Sequence, residues 1–222
     1  ALAAQSGVNL NCGSTYDPWL TEAVKKGLVS EQEIDALLSE LLVTRFKLGL
    51  FDPAENDPYK DYKPELINSK EHRELARKTA EGSMVLLKNN GVLPVSPEIP
   101  SAFVVGPFAA DMEVLLANYY GVSGQMVTFL EGIVGRVSPG TKVMYDNGFL
   151  IDRNRVNETD WALGEVKAND ITFVFAGISR MLEGEEGESI LSPYKGDRYD
   201  YGLPDNQVEY IKKVGEAKGE KP

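Results

Sequence analysis

Glu183, Glu185, Glu186 and Glu188 stand within six positions, and Lys195, Asp197, Arg198 and Asp200 follow close behind. Crowded carboxylates raise the pKa of at least one member, because neighbouring negative charges oppose ionisation, whereas a nearby Lys or Arg pulls its neighbours down. A loop of this composition can hold one protonated acid among charged partners, which is what general acid catalysis requires. The plainer alternative is a solvated acidic loop. A calcium site is a weaker one, since the four glutamates lack the Asp/Asn alternation and turn glycine of an EF-hand. Residue types alone leave these alternatives open.

Other chemistry is less well supplied. Val105-Gly106-Pro107 and Gly121-Val122-Ser123-Gly124 lack the Gly-x-Gly-x-x-Gly fingerprint, and Pro107 removes a backbone donor that a phosphate would use, so tight turns explain these glycines more simply. Asn118-Tyr119-Tyr120-Gly121 offers either stacking faces for a sugar or packing residues. His72 is the only histidine, which excludes a multi-histidine metal site and leaves Ser-His-Asp chemistry without evident partners; a helix-surface position is expected for it. The single Cys12 excludes an intramolecular disulfide and a thiolate cluster, and is read as a buried structural thiol. No cofactor or metal is expected. A formal charge of −11, with Lys and Arg scattered along the chain, argues against nucleic acid as a partner. No apolar run approaches the roughly 20 residues that span a bilayer.

The acidic loop is held by an alternation of strands and helices. Ala102–Val105, Lys142–Tyr145 and Ile171–Phe175 are β-branched or aromatic runs between turn residues and read as buried strands. Helical stretches are expected near Asp111–Ala117, Val127–Val137, Glu158–Val166 and Asp205–Val214, giving an α/β domain with a mostly parallel sheet. Ligands meet such sheets at the carboxyl ends of the strands, and the connection from Gly177 to about Leu203 is far longer than an ordinary strand-to-helix loop. A helix from Asp205 should feed another strand, so the domain reads as cut short.

Upstream, Gly7–Gly13 reads as a strand, Asp17 and Pro18 open a short helix, and Ser30-Glu31-Gln32-Glu33 forms a capping box for a second helix that runs to Gly49. That helix carries a broad apolar stripe from Ile34 to Phe46. Repeated Asp-Pro and Lys-Pro steps make residues 51–68 an ordered linker. Ser69 then caps a helix through about Gly82, with Leu75, Ala76, Thr79 and Ala80 on its packing side. Met84–Lys88 follows as a short extended run, and Asn89-Asn90-Gly91 turns the chain.

In this order the residues resemble the β-glucosidases and β-xylosidases of glycoside hydrolase family 3. Asn9-Leu10-Asn11-Cys12-Gly13, Ala23-Val24 with Gly27 and Val29, and Arg45 to Pro53 are similar to the end of that family's barrel domain. Glu71-His72-Arg73, Leu75-Ala76-Arg77, Val85 to Asn89 with Leu93-Pro94, Gly106-Pro107, Asn118 to Gly121, Leu130-Glu131-Gly132-Ile133, and Gly196-Asp197-Arg198 with Leu203-Pro204 and Gln207 resemble its α/β sandwich domain. The resemblance implies residues 1–50 as the terminal strand and helices of a (β/α) barrel, 51–68 as linker, and 69–222 as an incomplete α/β sandwich.

It also implies a retaining, exo-acting β-glycosidase that works on β-linked glycosides and oligosaccharides. Such chemistry sets two carboxyl groups about 5 to 5.5 Å apart, one attacking the anomeric carbon and one protonating the leaving oxygen. Leu182-Glu183-Gly184-Glu185-Glu186 resembles the acid/base loop, and the glutamate after the glycine points to Glu185, with Glu183, Glu186 and Glu188 as adjacent alternatives. The family's nucleophile lies in a Ser-Asp motif and its sugar contacts include a Lys-His pair. Neither dipeptide occurs here, so a missing barrel domain is the implied partner. Phe129 stands where a proline is customary. Secretion or periplasmic export is what the resemblance suggests. A noncatalytic carbohydrate-binding or interaction module is the alternative to an enzyme.

Overall fold

A computed structural model describes residues 1–116, 121–184 and 191–219. The chain divides into two compact units, Ala1–Ser83 and Met84–Pro222.

The first unit is helical: α1 (Leu2–Gln5), α2 (Tyr16–Lys25), α3 (Glu31–Lys47) and α4 (Lys70–Ser83), with single 3-10 turns at Ala54–Asn56 and Pro64–Leu66. The capping box on α3 is complete, with Ser30 Oγ accepting from Glu33 N and the Glu33 carboxylate accepting from Ser30 N. Ser69 Oγ accepts from His72 N at the start of α4, and His72 is exposed on that helix. The core of this unit is small: Ala4, Ala23 and Val29, with Leu20, Ile34 and Leu37 packed against them.

Four expectations change here. Gly7–Gly13 forms no strand, because a strand needs a ladder partner and none lies beside it among the described residues. α2 begins at Tyr16, ahead of Asp17, because Asn11 Oδ1 accepts from Tyr16 N and organises the turn earlier. Cys12 is exposed, since the turn around it does not reach the small core. No residue of α3 or α4 is fully buried, so both apolar stripes lie largely open within this unit.

The second unit is α/β. Strands β1 (Ser101–Val105), β2 (Lys142–Asp146) and β3 (Ile171–Val174) form a parallel sheet in the order β2-β1-β3. Phe103 sits opposite Met144 on one side and Thr172 on the other. β1 is central and buried from Ala102 to Val105, as a parallel strand covered on both faces must be. β2 is an edge strand and only partly buried, so burial of all three strands does not hold.

Helices α5 (Phe129–Val134), α6 (Ala162–Ala168) and α7 (Asp205–Lys218) complete the unit. Phe103, Val105, Phe149, Ala162, Val166, Tyr210 and Val214 form its core. Asn89 Oδ1 accepts from Gly91 N and Leu93 N, closing the expected turn. The helix expected over Asp111–Ala117 is only a 3-10 turn at Glu113–Leu115 within the described residues, because Asp111 Oδ1 captures Glu113 N. α6 starts late for the same reason: Asp160 Oδ1 accepts from Ala162 N and Asn157 Oδ1 from Thr159 N. Asn118, Tyr119 and Tyr120 lie outside the described residues.

Candidate functional site

The carboxyl ends of all three strands open toward one group of loops, and α7 ties them together. Gln207 faces inward with Tyr210 and Val214 and is fully buried. Its amide nitrogen donates to Ile151 O (2.7 Å) in the loop after β2 and to Gly177 O (2.9 Å) in the loop after β3. Its amide oxygen accepts from Gly177 N at 2.9 Å. One side chain thus satisfies three part-buried backbone groups and fixes where both loops leave the sheet. Next to it, Asn206 Nδ2 donates to Leu150 O and Arg153 O.

Gly106 follows β1 with φ +130°, and a Cβ there would lie 2.1 Å from Phe175 O. The glycine is required because two backbones meet at this point, in agreement with a tight turn and without appeal to phosphate. Phe129, at the first turn of α5, stacks on Phe175 with ring centroids 4.6 Å apart. The aromatic ring at the position of the customary proline therefore packs against the root of the long loop.

The acidic loop is anchored at both margins. Glu183 N and Leu182 N donate to Ser179 O, and Leu191 N donates to Met181 O at 2.8 Å, so the chain returns beside the point where it left. Arg180 pairs with Glu113 at 2.8 Å, joining this loop to the one after β1. Arg198 is mostly buried and serves as the hub: it bonds Asp200 Oδ1 at 2.8 Å and Gly202 O, and lies 3.9 Å from the exposed Glu183 carboxylate. The Arg198 hydrogen bond holds the Asp200 carboxyl below the usual carboxylate range against the opposing effect of desolvation, aided by Gly202 N–H.

The structure thus brings together Glu183, Arg198 and Asp200 from the expected set. Lys195 and Asp197 are exposed on the same loop, Lys195 with φ +60°. Glu185, Glu186 and Glu188 lie outside the described residues. Among the described residues, no group of three or more His, Cys, Asp or Glu side chains is arranged to hold a metal, and no helix is long and apolar enough to cross a membrane.

A cleft of about 740 Å³ runs along this loop, lined by Leu182 and Leu191 from the margins of the acidic stretch, by Tyr194, Arg198 and Asp200 beyond it, and by Asp152–Asn154 from the loop after β2. Asp152–Asn154, Tyr194 and Gln207 were not among the candidate site residues. A signal for Gln207 was available, since it is a polar residue on the inward stripe that Tyr210 and Val214 continue at helical spacing.

Residues 84–221 match the glycosyl hydrolase family 3 C-terminal domain. A probable exo-1,4-beta-xylosidase of Aspergillus terreus is 32% identical over 218 residues, covering 98% of this chain and 27% of the relative. An exo-1,4-beta-xylosidase of Emericella nidulans is 31% identical over 217 residues, covering 97% and 27% respectively. Among solved structures, a family 3 exo-beta-xylosidase in complex with a xylobiose aziridine probe aligns with TM-score 0.76 and 28% identity, over 97% of this chain and 27% of that one. A beta-glucosidase from Listeria innocua in complex with glucose shares the fold at TM-score 0.66 and 23% identity, over 99% of this chain and 28% of that one. The chain spans about 27% of the length of the curated relatives it matches. With its parallel α/β sheet and the loop and helix that frame the cleft, the chain belongs to the glycosyl hydrolase family 3 C-terminal domain family.

Proposed function

We propose that the chain supplies the acid/base half of a retaining, exo-acting β-glycosidase, a β-xylosidase or β-glucosidase, whose attacking carboxylate comes from a barrel domain outside these 222 residues. Glu185 is the proposed proton donor: it protonates the leaving oxygen in the first step and activates water in the second. Glu183, Glu186 and Glu188 are its alternatives. The observation that carries the reading is the anchoring of the acidic stretch. Leu191 N bonds Met181 O, and the flanking Leu182 and Leu191 line a cleft at the carboxyl ends of the strands, where open parallel sheets present their ligands. The absence of a Ser-Asp dipeptide from the sequence supports an external nucleophile. So does the similarity to exo-xylosidases of which the chain spans 27%.

The test is Glu185→Gln in the complete polypeptide that carries this chain. A general acid predicts a loss of about 100-fold or more in kcat/KM on substrates with poor leaving groups and a much smaller loss on activated aryl glycosides. An equal, small effect on both would favour a noncatalytic carbohydrate-binding module. The 222-residue chain assayed alone is expected to show no turnover of aryl β-xyloside or aryl β-glucoside.

A further inference from the structure

Gln207 sits in the first turn of α7, where its backbone N donates to Pro204 O at 2.9 Å. Tyr210 and Val214, one and two turns further on, belong to the core, and Tyr210 meets Phe149 with ring centroids 4.8 Å apart. The backbone that carries the amide is therefore held by packing rather than by the loops it touches.

The three partners match a carboxamide. Gly177 N offers a proton, whereas Ile151 O and Gly177 O each need one, so the position calls for an acceptor and two donors on one planar group. A carboxylate would turn negative charge toward the two carbonyls, and a methionine of similar length makes none of the bonds.

The two carbonyls that share Gln207 Nε2 each stand one residue before a wall of the 740 Å³ cleft: Ile151 precedes Asp152, and Gly177 precedes Ile178. A shift of either wall is thus felt at the other through a single NH2 group. Beyond Gly177 the chain is also braced, since Leu182 N and Glu183 N donate to Ser179 O and Leu182 is buried. A displacement at Gly177 is carried along this turn to Glu183.

We propose that Gln207 is a positioning residue for the reaction: it sets the separation of the two cleft walls and, through Gly177 to Glu183, the alignment of the acidic stretch that follows. The inference rests on the acid/base reading above. It extends that reading to a side chain that need not touch the substrate.

The experiment reads two substrates on the same sample of the complete polypeptide, so that the ratio is independent of the active fraction. Gln207→Met lowers kcat on β-1,4-xylobiose roughly ten- to hundredfold, and kcat on dinitrophenyl β-xyloside, whose leaving group needs no proton, by no more than about threefold. Cellobiose and dinitrophenyl β-glucoside are run in parallel. Gln207→Glu, which keeps the acceptor for Gly177 N, shows the same skew at smaller size and serves where the methionine variant does not fold. Val166→Ala, which weakens the core away from both loop roots, lowers the two substrates alike. If the Gln207 variants also lower both alike, or lower neither, the inference is overturned, and a skew retained by Glu185→Gln leaves the acid/base reading standing. If Glu185→Gln shows no skew, that reading fails and the inference falls with it.

Discussion

The first unit and the second bury their apolar residues to very different degrees. Residues 1–83 make well-punctuated helices around a core of Ala4, Ala23 and Val29, while Trp19, Leu38, Phe46 and Leu75 stay open to solvent. Residues 84–222 enclose Phe103, Val105, Phe149, Val166, Tyr210 and Val214 between a parallel sheet and its helices. Local helix signals suffice to shape a segment, but they do not give it an interior. Burial of large side chains does, and stability follows the apolar area removed from water.

Core truncation should separate the two units most sharply. Phe103→Ala is expected to destabilise the second unit by about 3–5 kcal/mol, whereas Leu38→Ala should change the first by roughly 0.5 kcal/mol or less. Denaturant unfolding with hydrogen exchange on β1 and α3 checks both, and comparable losses would erase the contrast. Next in size, Gln207→Leu leaves Gly177 N and O and Ile151 O without their partner, for about 2–3 kcal/mol. The same variant should speed proteolysis within 177–203 more than within β1, because the amide holds the loop and not the sheet.

The glycines give a smaller contrast of opposite sign. Gly106→Ala drives a Cβ against Phe175 O and should cost about 2 kcal/mol. Gly82→Ala in α4 meets nothing within 4 Å and should stabilise its helix by about 0.5–1 kcal/mol, read from thermal melts followed by circular dichroism.

The smallest effect should be alike in both units, because each carries the same local device. Backbone N–H donation from Ser30 and from Thr128 holds Glu33 and Glu131 below their ordinary 4.5. A depressed folded-state value adds stability that is present above pH 4.5 and lost as pH falls through the lowered value. Helicity followed downward from about pH 6 should decline in that window, and Glu33→Gln should flatten the α3 contribution.

Much of the second unit was legible because its signals are local. The β-branched runs at 102–105, 142–145 and 171–175 mark strands, and alternation with helices implies parallel pairing. Helix starts were less legible wherever an Asx side chain took the backbone N–H first, as at Asp111 and Asp160. The length of the 177–203 connection marked it as the candidate functional loop. Arg198 was visible as a charge near the carboxylates and as a family match, but not as the hub, because a guanidinium that reaches Glu183, Asp200 and Gly202 O depends on the path of the folded loop.

The residues by themselves determined the α/β class, the capping box at Ser30, the turn at Asn89–Gly91 and the acidic loop, since each depends on groups a few positions apart. Only the tertiary structure decided that β2 is an edge, that Cys12 is exposed, that Gln207 clamps two loops, and that Tyr194 and Asp152 share a cleft. Those outcomes depend on groups 30 or more positions apart along the chain, or on which surfaces find a neighbour, and local spacing carries no record of either.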